Sequence, residues 1–139
     1  KKLQYLTLVA QPFEQVEGTE ECESLLGMPL HKNRIKKLPK DFGRLKRLRQ
    51  LTLYQNELTE LPESMGDMQA LRLFNIAWNR FDHLPPCIRR MKALQWLPVH
   101  HNAWADPSEL TTLPDQVEVI AEHPFRHDKT PIWNKLDYM

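Results

Sequence analysis

The chain has 139 residues, a formal net charge of +1, 41% hydrophobic residues, four glycines and two cysteines. No apolar run approaches the roughly 20 residues that a membrane helix needs, so membrane insertion is not expected. The scattered glycines leave no glycine-rich loop to cradle a phosphate, and two cysteines do not make a disulfide scaffold.

The chain opens with Leu3, Leu6 and Leu8, followed by Gln11 and an acidic stretch, Glu14, Glu17, Glu20, Glu21 and Glu23. From Leu25 a 23-residue period takes over. Leu25, Leu48, Leu71 and Leu94 keep it, as do Asn33, Asn56, Asn79 and Asn102, and the pairs Leu38-Pro39, Leu61-Pro62 and Leu84-Pro85. Each unit starts with alternation of apolar and polar residues, as in Leu51-Thr52-Leu53, which predicts a short strand with one buried face. Strands one period apart stack in parallel, about 4.8 Å from each other. The asparagine stands where the chain leaves the strand, and its amide can satisfy backbone groups of adjacent coils in a ladder. Leu-Pro begins the return path, because Pro suits a first helical or turn position. Phe42/Leu45, Met65/Met68 and Ile88/Met91 are spaced i, i+3 and predict one inward stripe per return segment. Pro29 and Pro98 at mid-strand should weaken regular pairing, since proline has no N–H for the ladder.

These columns resemble the leucine-rich repeat, LxxLxLxxNxLxxLPxxLxxLxx, most closely its 23-residue intracellular class found in Ras-pathway scaffolds. The resemblance covers residues 3–121. It implies an α/β solenoid of about five repeats, with parallel strands on a concave face and short helical, 3-10 or extended return segments on the convex face. The units divide as 3–24, 25–47, 48–70, 71–93 and 94–122. The last is read with a six-residue insertion near 105–110, because Leu-Pro reappears only at Leu113-Pro114, followed by Val117 and Ile120. Residues 1–122 then form the solenoid and 123–139 a tail. That tail carries Phe125, Ile132, Trp133, Leu136 and Tyr138, and is expected to cap the last repeat or dock on a partner. Trp104 stands in a consensus leucine position and is expected in the core.

Catalytic chemistry finds little footing. Ser24, Ser64 and Ser108 lack a nucleophile context. His100 and His101 point to opposite faces of a strand, and Pro124 stands between His123 and His127. No metal, cofactor, enzymatic activity or small-molecule substrate is expected. The resemblance instead places partner binding on the outward residues of the strands: Tyr5, His31, Gln50, Thr52, Tyr54, Leu73, Asn75, Trp78, Trp96 and His100. Tyr and Trp on a surface that should be polar point to an interface. The leading function is therefore non-catalytic recognition or scaffolding of a protein partner, with a small GTPase or kinase pathway among the partners the resemblance implies.

The alternative is a structural subunit of a large intracellular assembly, such as a ribosome or other ribonucleoprotein particle. There the basic block Lys32, Arg34, Lys36, Lys37, Lys40, Arg44, Lys46 and Arg47 would contact nucleic acid or an acidic partner. A third reading is the recognition arm of an enzyme whose catalytic domain lies elsewhere. Cysteine-rich caps and Asn-x-Ser/Thr sequons are missing from the sequence, so an intracellular location is expected, the cytoplasm first and an organelle second. The chain begins at Lys1 rather than Met, which reads as a fragment or processed product.

Overall fold

The computed structural model describes residues 24–121. Most of the first unit, with Tyr5, and the tail over 123–139 lie outside the described residues. Five strands, β1 (Gly27–Pro29), β2 (Gln50–Thr52), β3 (Leu73–Asn75), β4 (Trp96–Pro98) and β5 (Glu118–Ile120), form one parallel sheet in chain order. The register follows the 23-residue repeat through β4, with Gly27 opposite Gln50, Gln50 opposite Leu73 and Leu73 opposite Trp96, and the last pair, Trp96 with Glu118, is one residue shorter at 22. Between strands the chain returns through 3-10 segments at Phe42–Arg44, Glu63–Asp67, Pro86–Arg90 and Pro107–Thr112. This is the leucine-rich repeat solenoid.

The core is a stack of side-chain columns. Leu25, Leu48, Leu71 and Leu94 are fully buried, and so are Leu51, Phe74 and Leu97 from the strands. Phe42/Leu45, Met65/Met68 and Ile88/Met91 close the return side of the same cluster. At roughly 1.5–3 kcal/mol per fully buried large apolar side chain, this continuous column is the main stabilising term. Trp104 packs against the core as expected, half-buried, its ring parallel to Phe81 at 6.2 Å and its Nε1 donating to Val99 O at 2.9 Å.

The asparagine ladder forms as the period predicts. Asn56 Oδ1 accepts the N–H of Ile35 at 3.1 Å, and Asn56 Nδ2 donates to Leu30 O at 3.0 Å and Leu53 O at 2.9 Å. Asn79 does the same with Leu58, Leu53 and Ile76, and Asn102 with Phe81, Ile76 and Val99. Each amide thus satisfies groups of its own coil and the one before: the N–H groups of Ile35, Leu58 and Phe81 each have an asparagine as partner, while Leu53 O and Ile76 O are each shared by two successive amides.

Two expectations meet the sheet differently. Pro98 weakens pairing as foreseen: β3 and β4 share one register pair, Leu73 with Trp96, where every other neighbouring pair of strands shares three. Pro98 still accepts from Ile76 N at 3.0 Å, so the strands remain joined on its carbonyl side. Pro29 keeps full register, Pro29 opposite Thr52.

The six-residue insertion near 105–110 is corrected. Pro107 stands 23 residues after Leu84 and opens the 3-10 segment Pro107–Thr112, so this stretch is the return path itself. Asp106 caps that segment by accepting from Ser108 N at 3.1 Å and Ser108 Oγ at 2.6 Å. Ile120, expected on a return path, belongs to strand β5 opposite Pro98, and Val117 leads into that strand.

Candidate functional site

Short three-residue strands make the columns of outward side chains tightly spaced, and the turn that follows each strand sets a second row beside them. That turn is the same in four coils. Lys32, Gln55, Trp78 and His101 each hold φ between 57° and 61°. They lie at the 23-residue period, each immediately before its ladder asparagine. The left-handed region is unfavourable for residues other than Gly and Asn, and for a bulky side chain it is an outlier. The conformation is held by the ladder: Lys32 N donates to Tyr54 O at 3.0 Å, Gln55 N to Ala77 O at 3.0 Å, and Trp78 N to His100 O at 2.9 Å. All four residues of this row are exposed.

Aromatic contacts run along the same edge. The His31 and Tyr54 rings stack at 4.7 Å with planes 7° apart, and His31 Nδ1 lies 3.3 Å from Thr52 Oγ1. Trp78 and His101 stack at 3.8 Å with planes 6° apart, and His100 meets His101 edge-on at 5.4 Å. Trp78 is 45% exposed, the one large hydrophobic residue so exposed among the described residues. Burial lowers the pKa of His31, with the Lys32 ammonium adding to the effect, and burial raises that of Tyr54.

The described candidates occupy the expected face, but not with equal exposure. His31, Gln50, Thr52, Tyr54 and Trp96 are half-buried. Leu73, Asn75 and His100 are only 3%, 1% and 3% exposed. The expectation of an exposed surface at these three positions is therefore corrected. Leu73 and Asn75 belong to β3, the middle strand of the five, flanked on both sides, whereas His100 follows β4 and lies edge-on to His101. Asn75 Oδ1 also accepts the N–H of Ala77 at 3.0 Å, so this side chain shapes the strand exit.

The basic block lies outside this face, apart from Lys32. Lys32, Arg34, Lys36, Lys37, Lys40, Arg44, Lys46 and Arg47 are all exposed. Lys37 and Lys40, with Leu38, Glu60, Leu61 and Pro62, line a shallow depression of about 390 Å³ on the return side. Charge alternates by coil. The following coil offers Glu57 and Glu63, which pair with Arg80 at 3.7 Å and Arg90 at 3.2 Å in the coil after that. Glu57 is half-buried and the other three side chains are exposed, and pairs of this kind contribute at most about 1 kcal/mol each. Among the described residues no group of His, Cys, Asp and Glu is arranged to hold a metal ion, and no helix is long and apolar enough to cross a membrane. Cys87 is a buried free thiol with its pKa pushed up to about 12 by burial, while Cys22 lies outside the described residues.

Residues 24–81 match the family model for the leucine rich repeat. A leucine-rich repeat protein of Leptospira interrogans has the same fold, with TM-score 0.74 and 28% identity over 86% of this chain and 37% of that one. An internalin of Listeria monocytogenes matches with TM-score 0.66 and 13% identity over 82% of this chain and 39% of its own. The Arabidopsis receptor kinase HAESA, solved with the peptide hormone IDA and the co-receptor SERK1, matches with TM-score 0.69 and 23% identity over 85% of this chain and 21% of its own. The chain thus spans well under half the length of each. No curated protein sequence matches it. Together with the ladder and the stacked parallel strands, these likenesses show that the chain has the leucine-rich repeat fold.

Proposed function

We propose that the chain is a non-catalytic recognition module that binds a protein partner through its concave strand face. His31, Gln50, Thr52, Tyr54, Trp78 and Trp96 are the contact residues, and the segment after residue 122 serves as cap or docking tail. The observation that carries the reading is the pair of stacked aromatic contacts, His31 with Tyr54 and Trp78 with His101, lined up on one edge of the sheet. Rigid aromatic side chains in fixed positions bind at low entropic cost and are common interface anchors. The HAESA structure, whose fold this chain shares, holds a peptide hormone. Photo-crosslinking tests the reading. A photoreactive residue at Thr52 or Trp96 should capture a partner that the same residue at Lys92, on the return side, does not. Equal capture from both sides would remove the concave face as the site.

A second reading is carried by the eight exposed residues of the basic block, which suit nucleic acid or an acidic partner in a larger assembly. Nuclease treatment separates the two readings. Co-purification lost with nuclease and at raised salt belongs to the basic block, and co-purification that survives both belongs to the aromatic face.

A further inference from the structure

We infer that the left-handed row Lys32, Gln55, Trp78 and His101 is a ledge for an extended acidic peptide, with an apolar side chain of the peptide on Trp78 and a carboxylate at Lys32. The inference rests on the protein-recognition reading above and names the chemistry of the partner.

Three observations carry it. The first is placement. The turn that closes each coil holds Lys32, Gln55, Trp78 and His101 at the same positive φ, so the four exposed side chains form one row with a fixed spacing. The second is the anchor. His101 covers one face of the Trp78 ring at 3.8 Å, which fixes the indole. A large aromatic group so fixed, and 45% exposed, is suited to receive an apolar side chain. The third is charge. At the other end of the row Lys32 is exposed, and Arg34 and Lys37 beyond it are exposed too. The carboxylate one coil on from Arg34, that of Glu57, is engaged by Arg80 at 3.7 Å. This end therefore attracts carboxylates and repels basic peptides.

Spacing then defines the motif. Lys32 and Trp78 are two coils apart, about 10 Å at the usual strand separation, which an extended peptide spans in about three residues. The ledge fits an apolar residue with Asp or Glu three positions away.

A phage-displayed library of random seven-residue peptides, selected on the full chain, tests this. Enriched peptides should carry an aromatic or aliphatic residue three positions from an acid. Trp78→Ala should weaken their binding by at least about tenfold, and Lys32→Glu should shift selection away from acidic sequences. Both side chains are exposed, so melting temperature should stay unchanged, and Trp78→Phe should restore part of the binding. Enriched peptides with no acidic bias, or ones indifferent to both substitutions, overturn the ledge, as does a library that yields nothing. Peptides that lose binding with Thr52→Lys but not with Trp78→Ala leave the concave-face reading standing and sink the ledge alone. An oligouridylate probe that binds through the same two residues and displaces the peptides would reassign the ledge to nucleic acid and overturn the proposal.

Discussion

Asn79 Oδ1 accepts the backbone N–H of Leu58, 21 residues earlier, at 3.0 Å, and so ties one coil of the solenoid to the next. The same side chain donates to Leu53 O at 2.8 Å. Asn79→Ala leaves the Leu58 N–H without its partner inside the protein, while Leu53 O keeps the bond from Asn56 Nδ2 at 2.9 Å, so the cost is about 1–3 kcal/mol, set mainly by the orphaned N–H. Urea denaturation should show the loss as a lower midpoint at unchanged slope. A midpoint equal to wild type would mean that the ladder contributes nothing. Asn102, half-buried and nearer the end of the described stack, should cost less when replaced by Ala.

Two glycines one period apart should respond differently to the same change. A Cβ on Gly43 would fall on the backbone carbonyl of Ser64, whose Oγ accepts from Gly43 N at 3.0 Å and donates to Lys40 O at 2.8 Å. Backbone cannot swing aside, so Gly43→Ala should destabilise by about 1–3 kcal/mol. The atoms nearest a Cβ on Gly66 would be those of the Arg90 guanidinium, the far end of a flexible side chain. Gly66→Ala releases Arg90 from its surface contacts with Glu63 but gains about 0.4–1 kcal/mol from a less flexible unfolded chain. Its thermal midpoint should be close to wild type. Equal losses at both sites would contradict the account.

The pH dependence follows from His31. Burial, then Lys32, holds its pKa below the ordinary 6.5, so the folded protein takes up this proton less readily than the unfolded chain. Above 6.5 both states are neutral here and the group has no effect. As pH falls below 6.5 the unfolded chain protonates first and stability drops, until His31 also protonates in the fold. His31→Gln should flatten that part of the stability profile measured between pH 7 and 5. A profile unchanged by the substitution would show that other groups set the acid slope.

The repeat made most of this fold legible. Leu25, Leu48, Leu71 and Leu94, the four asparagines and the paired return residues each occupy their expected place, because burial and backbone satisfaction constrain residue type at those positions. The fifth unit was misread because Leu113-Pro114 copies the return signature. Spacing was the better guide, since Pro107 sits one period after Leu84 and begins the return segment. The left-handed row was illegible. Lys32, Gln55, Trp78 and His101 share no side-chain property, and the turn that closes each coil, rather than residue preference, imposes their φ. Exposure was legible only in part: Leu73, Asn75 and His100 lie on the outward columns, yet position on a face does not fix how far a concave surface leaves each side chain open.

The strain in that row is testable at Gln55. Its φ is 61°, its side chain is exposed, and its N–H bond to Ala77 O at 3.0 Å is made by the backbone and survives any substitution other than proline. Asn enters the left-handed region more readily than Gln because its short side chain can bond locally. Gln55→Asn should therefore raise stability by about 0.5–1 kcal/mol, without altering the sheet register. Gln50→Asn is the control. It places the same residue type in strand β2, where extended backbone disfavours Asn, and should lower stability or leave it unchanged. Calorimetry on both variants decides the matter. A rise at 55 and none at 50 shows that the turn, rather than Asn itself, is responsible. A fall at 55 would mean that the fold relieves the positive φ in some other way.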